Sequence, residues 1–101
     1  MNAKIEELDG KLVATLVGEM DTAAAVEVEN ILKPLYTTGG KDVVIDCTDL
    51  EYIASSGLRI LLSILKGAKA AGSRVVLRHV NEDIKNVFKL TGFINIFEFE
   101  D

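Results

Sequence analysis

Ser55-Ser56-Gly57 places two hydroxyls and a glycine between an apolar run and a strongly apolar helical segment. A serine at a helix start can accept hydrogen bonds from the free backbone N–H groups there, so Ser55 or Ser56 is a candidate cap. The same N–H groups and the helix dipole favour an anion. A phosphate on one of these hydroxyls would add about −1.5 to −2 charges without melting the helix. Ser-Ser-Gly is also an ordinary way to open a helix after a strand, so this tripeptide alone does not choose between the two readings.

The remaining chemistry-bearing residues point away from catalysis. Asp46 and Asp49 are close in sequence, but no His or Lys lies between them, and a loop or cap role is expected. His79 is the only histidine. A triad of Ser55, His79 and an aspartate can be drawn, which would make a small hydrolase. No Gly-x-Ser-x-Gly elbow is present, however, and we expect no catalytic residue. Cys47 is the only cysteine, which excludes an internal disulfide. It lies in an apolar run, as a buried structural thiol would. One His and one Cys without ligand spacing predict no metal site. No phosphate-loop or dinucleotide signature occurs, so no cofactor is expected.

Charge and length narrow the partners. The chain has 101 residues and a net charge of −5. Its cations are scattered and its tail (Glu98, Glu100, Asp101) is acidic. Polyanionic nucleic acid recruits a basic face, so nucleic acid is not an expected partner. The apolar stretches are too short to span a bilayer, which takes roughly 20 residues. Residues 1–7 hold no apolar signal core, and a cytoplasmic location is expected. The length suits one domain, 1–101.

The elements that must position the serines follow from periodicity. Residues 4–8 and 12–17 read as a hairpin around Asp9-Gly10, a dipeptide suited to a turn with two positive φ angles. Leu12, Ala14 and Leu16 alternate with Val13, Thr15 and Val17, which suits a strand covered on both faces. Asp21 or Thr22 can cap a helix whose apolar spacing runs through Ala24, Val28, Ile31, Leu32 and Leu35. Pro34 should confine its regular part to the residues before it. Val43-Val44-Ile45 reads as a buried central strand, ending near Cys47.

A helix over 57–71 follows, with Leu58, Leu61, Leu62 and Leu65 toward the core. Ile60 and Ile64 lie to one side, either buried or part of an exposed apolar strip. Arg59 sits one turn from the serines, as a rim contact or a solvated charge. Gly72 is a left-handed stop. A strand over 74–80 comes next, then a helix capped by Asn81 with Ile84, Val87 and Phe88 inward. Gly92 ends that helix, and residues 93–99 suit an edge strand. The fold class is α/β: a single mixed β-sheet of four to five strands flanked by helices, with right-handed crossovers.

Taken together, these segments resemble a known family over essentially the whole chain. Gly18-Glu19-Met20-Asp21 is similar to the Gly-Glu-Leu-Asp segment of STAS domains. Val43-Val44-Ile45-Asp46 followed by Asp49 to Leu58 resembles that family's central strand and its Asp-Ser-Ser-Gly-Leu phosphorylation loop. Strand 74–80 and Phe88…Thr91-Gly92-Phe93 fit as well.

The resemblance implies an anti-sigma factor antagonist, a protein-binding switch and not an enzyme. Its implied partners are an anti-sigma factor with serine kinase activity and a serine phosphatase. It further implies Ser55 as phosphate acceptor, with Ser56 the alternative. With Arg59 added from its place one turn along the helix, the expected partner-binding surface is Asp21, Ser55, Ser56, Gly57 and Arg59. One position departs from the pattern: Ala54 stands where the family usually has Asp. The alternative is therefore a constitutive scaffold of the same fold that is never phosphorylated.

Overall fold

A computed structural model of the chain describes residues 1–100; Asp101, counted in the acidic tail, lies outside them. Strands β1 (Asn2–Leu8) and β2 (Lys11–Met20) form the expected antiparallel hairpin. Asp9 and Gly10 turn it with φ of 52° and 77°, the double positive φ of a type I′ turn. Strands β3 (Val43–Ile53), β4 (Val75–Arg78) and β5 (Glu98–Glu100) join in parallel, giving a sheet of order β1-β2-β3-β4-β5. Helices α1 (Thr22–Leu32), α2 (Ser55–Ala70) and α3 (Glu82–Thr91) connect the parallel strands in turn. The mixed sheet with helical crossovers is the architecture expected from the sequence.

The strand order also decides which face is covered. From β2 to β5 each parallel strand advances one place in the same direction. Right-handed crossovers then lay every helix on the same side. The core accordingly takes one face of the sheet: Ala14 and Leu16, Val43, Ile45 and Cys47, and Val75 and Leu77. Against these pack Ala25, Val28 and Leu32 of α1, a broad stripe of α2, and Ile84 and Phe88 of α3.

The other face is open, which corrects the reading of 12–17 as covered on both sides. Val17 is 37% exposed there. Across β2, β3, β4 and β5 the open face runs Thr15, Asp46, Arg78, Glu100. It carries ion pairs Lys4–Glu6 at 3.0 Å and Arg78–Glu100 at 2.9 Å.

β3 is longer than the expected strand ending near Cys47. Between the pairs Thr15↔Asp46 and Val17↔Asp49, β3 spends one more residue than β2, and another between Leu50 and Tyr52. These bulges change the inward spacing from two residues to three, so Cys47, Leu50 and Ile53 all point into the core. Strict alternation is lost, and with it the sequence signal for a strand. The β4 strand is shorter than expected, 75–78, with His79 exposed just beyond it at φ 58°. Residues 93–99 divide into a 3-10 turn, Phe93–Asn95, and the short β5. Pro34 falls inside a 3-10 turn, Lys33–Tyr36, that follows α1.

Candidate functional site

The serines stand where two chain reversals meet. Ala54 N donates to Met20 O at 2.8 Å, tying the end of β3 to the end of β2. Two helices therefore start side by side at the carboxyl edge of the sheet, α1 after Met20 and α2 after Ala54. Crevices outside the carboxyl ends of parallel strands are common binding places in open sheets.

The start of α1 is capped as expected. Asp21 has extended backbone, and its Oδ1 accepts from Ala24 N at 2.8 Å. The start of α2 differs from the expectation. Ala54 holds the cap position with φ −84° and ψ 169°, and no side chain caps the helix. Ser55 is already the first helical residue, so neither serine serves as the cap. The first intrahelical bond runs from Leu58 N to Ala54 O at 3.0 Å. A family Asp at position 54 would stand at the cap, where a short carboxylate accepts from the free N–H groups. The alanine leaves them without that acceptor.

The two hydroxyls have opposite surroundings. Ser55 is exposed on the outer side of the first turn. The Oγ of Ser56 is sealed from solvent and has no hydrogen-bond partner among the described residues. Gly57 is buried, and its lack of a side chain is required. A Cβ there would stand 2.6 Å from Met20 Sδ and 2.7 Å from Ile53 Cγ1. Glycine lets the first turn of α2 settle onto the ends of β2 and β3, which holds Ser55 outward.

Two grooves flank this turn, with Arg59 on the ridge between them. The α1–α2 groove is lined by Thr22, Val26, Glu29, Ser56, Arg59 and Ser63, among others. The α2–α3 groove is lined by Ser55, Leu58, Arg59, Leu62, Thr91 and Phe93. Their volumes are about 220 and 250 Å³. Leu62 is only half-buried there, although its spacing placed it in the core. Ile60 and Ile64 are buried at 4% and 0% exposure, so they form no apolar strip. The most exposed large apolar side chains lie elsewhere: Val26 at 67% in the first groove, and Leu90 at 88% next to Thr91. Val26 falls outside the Ala25, Val28, Leu32 core stripe, and that phase is the sequence signal that could have found it.

Tyr36 and Asp46 are held by hydrogen bonds within the fold. Tyr36 OH donates to Glu29 Oε2 at 2.9 Å, engaging the carboxylate of a residue that lines the α1–α2 groove. Burial, and then the Glu29 hydrogen bond and charge, push Tyr36 up to about 12. Burial works to raise the Asp46 carboxyl, but two hydrogen bonds from Thr48 and the nearby Arg78 and His79 outweigh it and hold Asp46 below the usual range. Asp46 lies on the open sheet face, and Asp49 is exposed opposite Val17. Among the described residues no group of three or more His, Cys, Asp or Glu is arranged to hold a metal. No helix there is long and apolar enough to cross a membrane.

Comparison with known proteins supplies the context. The STAS domain profile matches residues 2–101. BtrV of Bordetella bronchiseptica, whose name provisionally makes it an anti-sigma factor antagonist, is 33% identical over 97 residues, covering 96% of this chain and 84% of that one. A solved Thermotoga maritima protein, described in the same provisional terms, superposes with a TM-score of 0.86 at 22% identity. It covers 98% of this chain and 86% of its own. The Bacillus cell fate determinant SpoIIAA, solved in its phosphorylated form, gives a TM-score of 0.75 at 19% identity, over 99% of this chain and 91% of that one. At these identities the two solved structures show a shared fold.

Proposed function

Because the chain belongs to the STAS domain family, we propose that it is an anti-sigma factor antagonist controlled at Ser55. With Ser55 unmodified, the surface around the α2 start docks an anti-sigma factor that is also a serine kinase, and a sigma factor is released. The kinase transfers the γ-phosphoryl group of ATP to Ser55 Oγ; ADP leaves, and the hydroxyl gives up its proton. The new dianion ends docking, and a serine phosphatase restores the hydroxyl by hydrolysis. Asp21, Ser55 and Arg59 are the polar contacts of this surface, with Val26, Leu62 and Phe93 as its apolar ones.

The observation that carries this reading is the contrast between the serines. Ser55 is exposed on a turn held by Gly57, whereas the Ser56 hydroxyl is enclosed. A kinase must reach the hydroxyl it modifies, which selects Ser55. A phosphate there would project into solvent and leave the core untouched, so the modification alters recognition and not the fold. Phosphorylation with the cognate kinase and ATP, followed by intact mass and peptide mapping, tests the assignment. One phosphate on Ser55 is expected, and none on the Ser55→Ala variant.

Ala54 favours a second reading, a scaffold of the same fold that binds its partner constitutively. The α2 start has no cap carboxylate and no acidic residue in its first turn to orient a kinase's substrate hydroxyl. Binding to the partner with no mass gain under turnover conditions would select this reading.

A further inference from the structure

The chain has three arginines, Arg59, Arg74 and Arg78. Arg74 is paired with Glu98, and Arg78 with Glu100 at 2.9 Å. Among the described residues Arg59 has no ion pair and no side-chain hydrogen bond; only its backbone carbonyl is engaged, accepting from Ser63 Oγ at 3.1 Å. This unpaired guanidinium is exposed and stands four residues after Ser55 on the same helix.

Residues i and i+4 on a helix face each other, and an acid placed N-terminal to a base is the favourable order. Ser55 and Arg59 both line the α2–α3 groove, whose other residues are Leu58, Leu62, Thr91 and Phe93. Among the described residues Arg59 is thus the one charged side chain lining that groove. On the other flank the charged groups are Glu29 in the α1–α2 groove and Asp21 at the start of α1, both acidic.

We propose that Arg59 is the built-in counter-ion of phosphorylated Ser55. The planar guanidinium can meet two phosphate oxygens at once, which an ammonium cannot do. Phosphorylation would then change the docking surface twice. It adds a dianion, and it draws Arg59 out of the contacts a partner would use. The acidic residues on the α1 side turn the phosphate toward Arg59. The inference rests on Ser55 as the phosphate acceptor, but its chemistry can be tested without a kinase or a partner.

The experiment installs phosphoserine at position 55 during translation and follows the phosphate by 31P NMR against pH. The proteins compared are otherwise wild type, Arg59→Gln and Arg59→Lys. Arg59 stabilises the dianion, so the second ionisation of the phosphate in the wild-type background should lie about 0.15–0.4 pH units below that of Arg59→Gln. Arg59→Lys should fall between them, and 1 M salt should shrink the difference. A downfield shift of the Arg59 Nε–H resonance on phosphorylation is expected as well. Equal titration curves for wild type and Arg59→Gln, with both proteins folded by circular dichroism, would overturn the proposal. Because the phosphate is installed directly, that result leaves the kinase reading standing, and a failed kinase reaction leaves the ion pair standing.

Discussion

The backbone of Ala54 donates to the carbonyl of Met20 at 2.8 Å, and this one bond sets Asp21 and Ser55 at neighbouring helix starts. Residues 34 positions apart in sequence thereby share one edge of the sheet. Asp21 is committed to capping α1, while the matching position of α2 holds an alanine that caps nothing. The asymmetry leaves the α2 start as the end with unclaimed N–H groups, and it gives the first stability prediction.

Ala54→Asp should stabilise the chain. A carboxylate at the cap position accepts from N–H groups two or three residues on, worth roughly 0.5–2 kcal/mol. Urea unfolding at pH 7 measures the gain. An N-cap carboxylate has a depressed folded pKa, so the gain should hold at neutral pH and vanish as acid protonates it. An unchanged midpoint would mean that the α2 start is satisfied in some other way.

The serines should differ when each is truncated. Ser55→Ala removes an exposed hydroxyl and should stay within about 0.5 kcal/mol of wild type. Ser56→Ala removes an enclosed hydroxyl that has no partner among the described residues. Leaving such a group unmatched costs about 1–3 kcal/mol, so its removal should raise stability. A loss on Ser56→Ala as large as that of a broken hydrogen bond would show that the hydroxyl is engaged.

Gly57→Ala should destabilise by about 1–3 kcal/mol, because the new methyl must displace Met20 Sδ and Ile53 Cγ1. The methionine end can give way more readily than the isoleucine stem. The double variant with Ile53→Val should therefore recover part of the loss. Denaturant midpoints for the single and double variants read this out.

One buried group, Cys47, and one half-buried group, Tyr36, make spectroscopic predictions. Cys47 is 2% exposed, and burial followed by the Asp46 charge pushes its thiol up to about 12. Ellman's reagent at pH 8 should label it only after unfolding; rapid labelling of the native chain would contradict its placement. Tyr36 is raised from 10.0 to about 12, so the folded state holds the phenol proton more tightly than the unfolded chain. Its contribution is present below about pH 10 and is lost as pH rises through about 12. Absorbance at 295 nm should show one ionisation step near pH 12 that disappears in Tyr36→Phe.

The sequence revealed much of this arrangement where local chemistry dictates it. Asp9-Gly10, Asp21, Asn81 and Gly92 each perform the turn, cap or stop their types suggest. Its reading weakened where tertiary geometry prevailed. The bulges of β3 hid six further strand residues, because a spacing of three is not a strand period. The open sheet face depends on strand order, which no single segment displays. Ser55 and Ser56 look equivalent as letters. Only the packing of α2 on Met20 and Ile53 turns one hydroxyl outward and the other in. The grooves beside Arg59 need three helices and could not be read from α2 alone.

The most direct test compares the affinity of the chain for its cognate anti-sigma factor with serine or with phosphoserine at position 55. Isothermal titration should show the phosphorylated form binding at least about a hundredfold more weakly, a loss of about 2.8 kcal/mol. Equal affinity for both forms would contradict control at Ser55 and leave a constitutive binding domain.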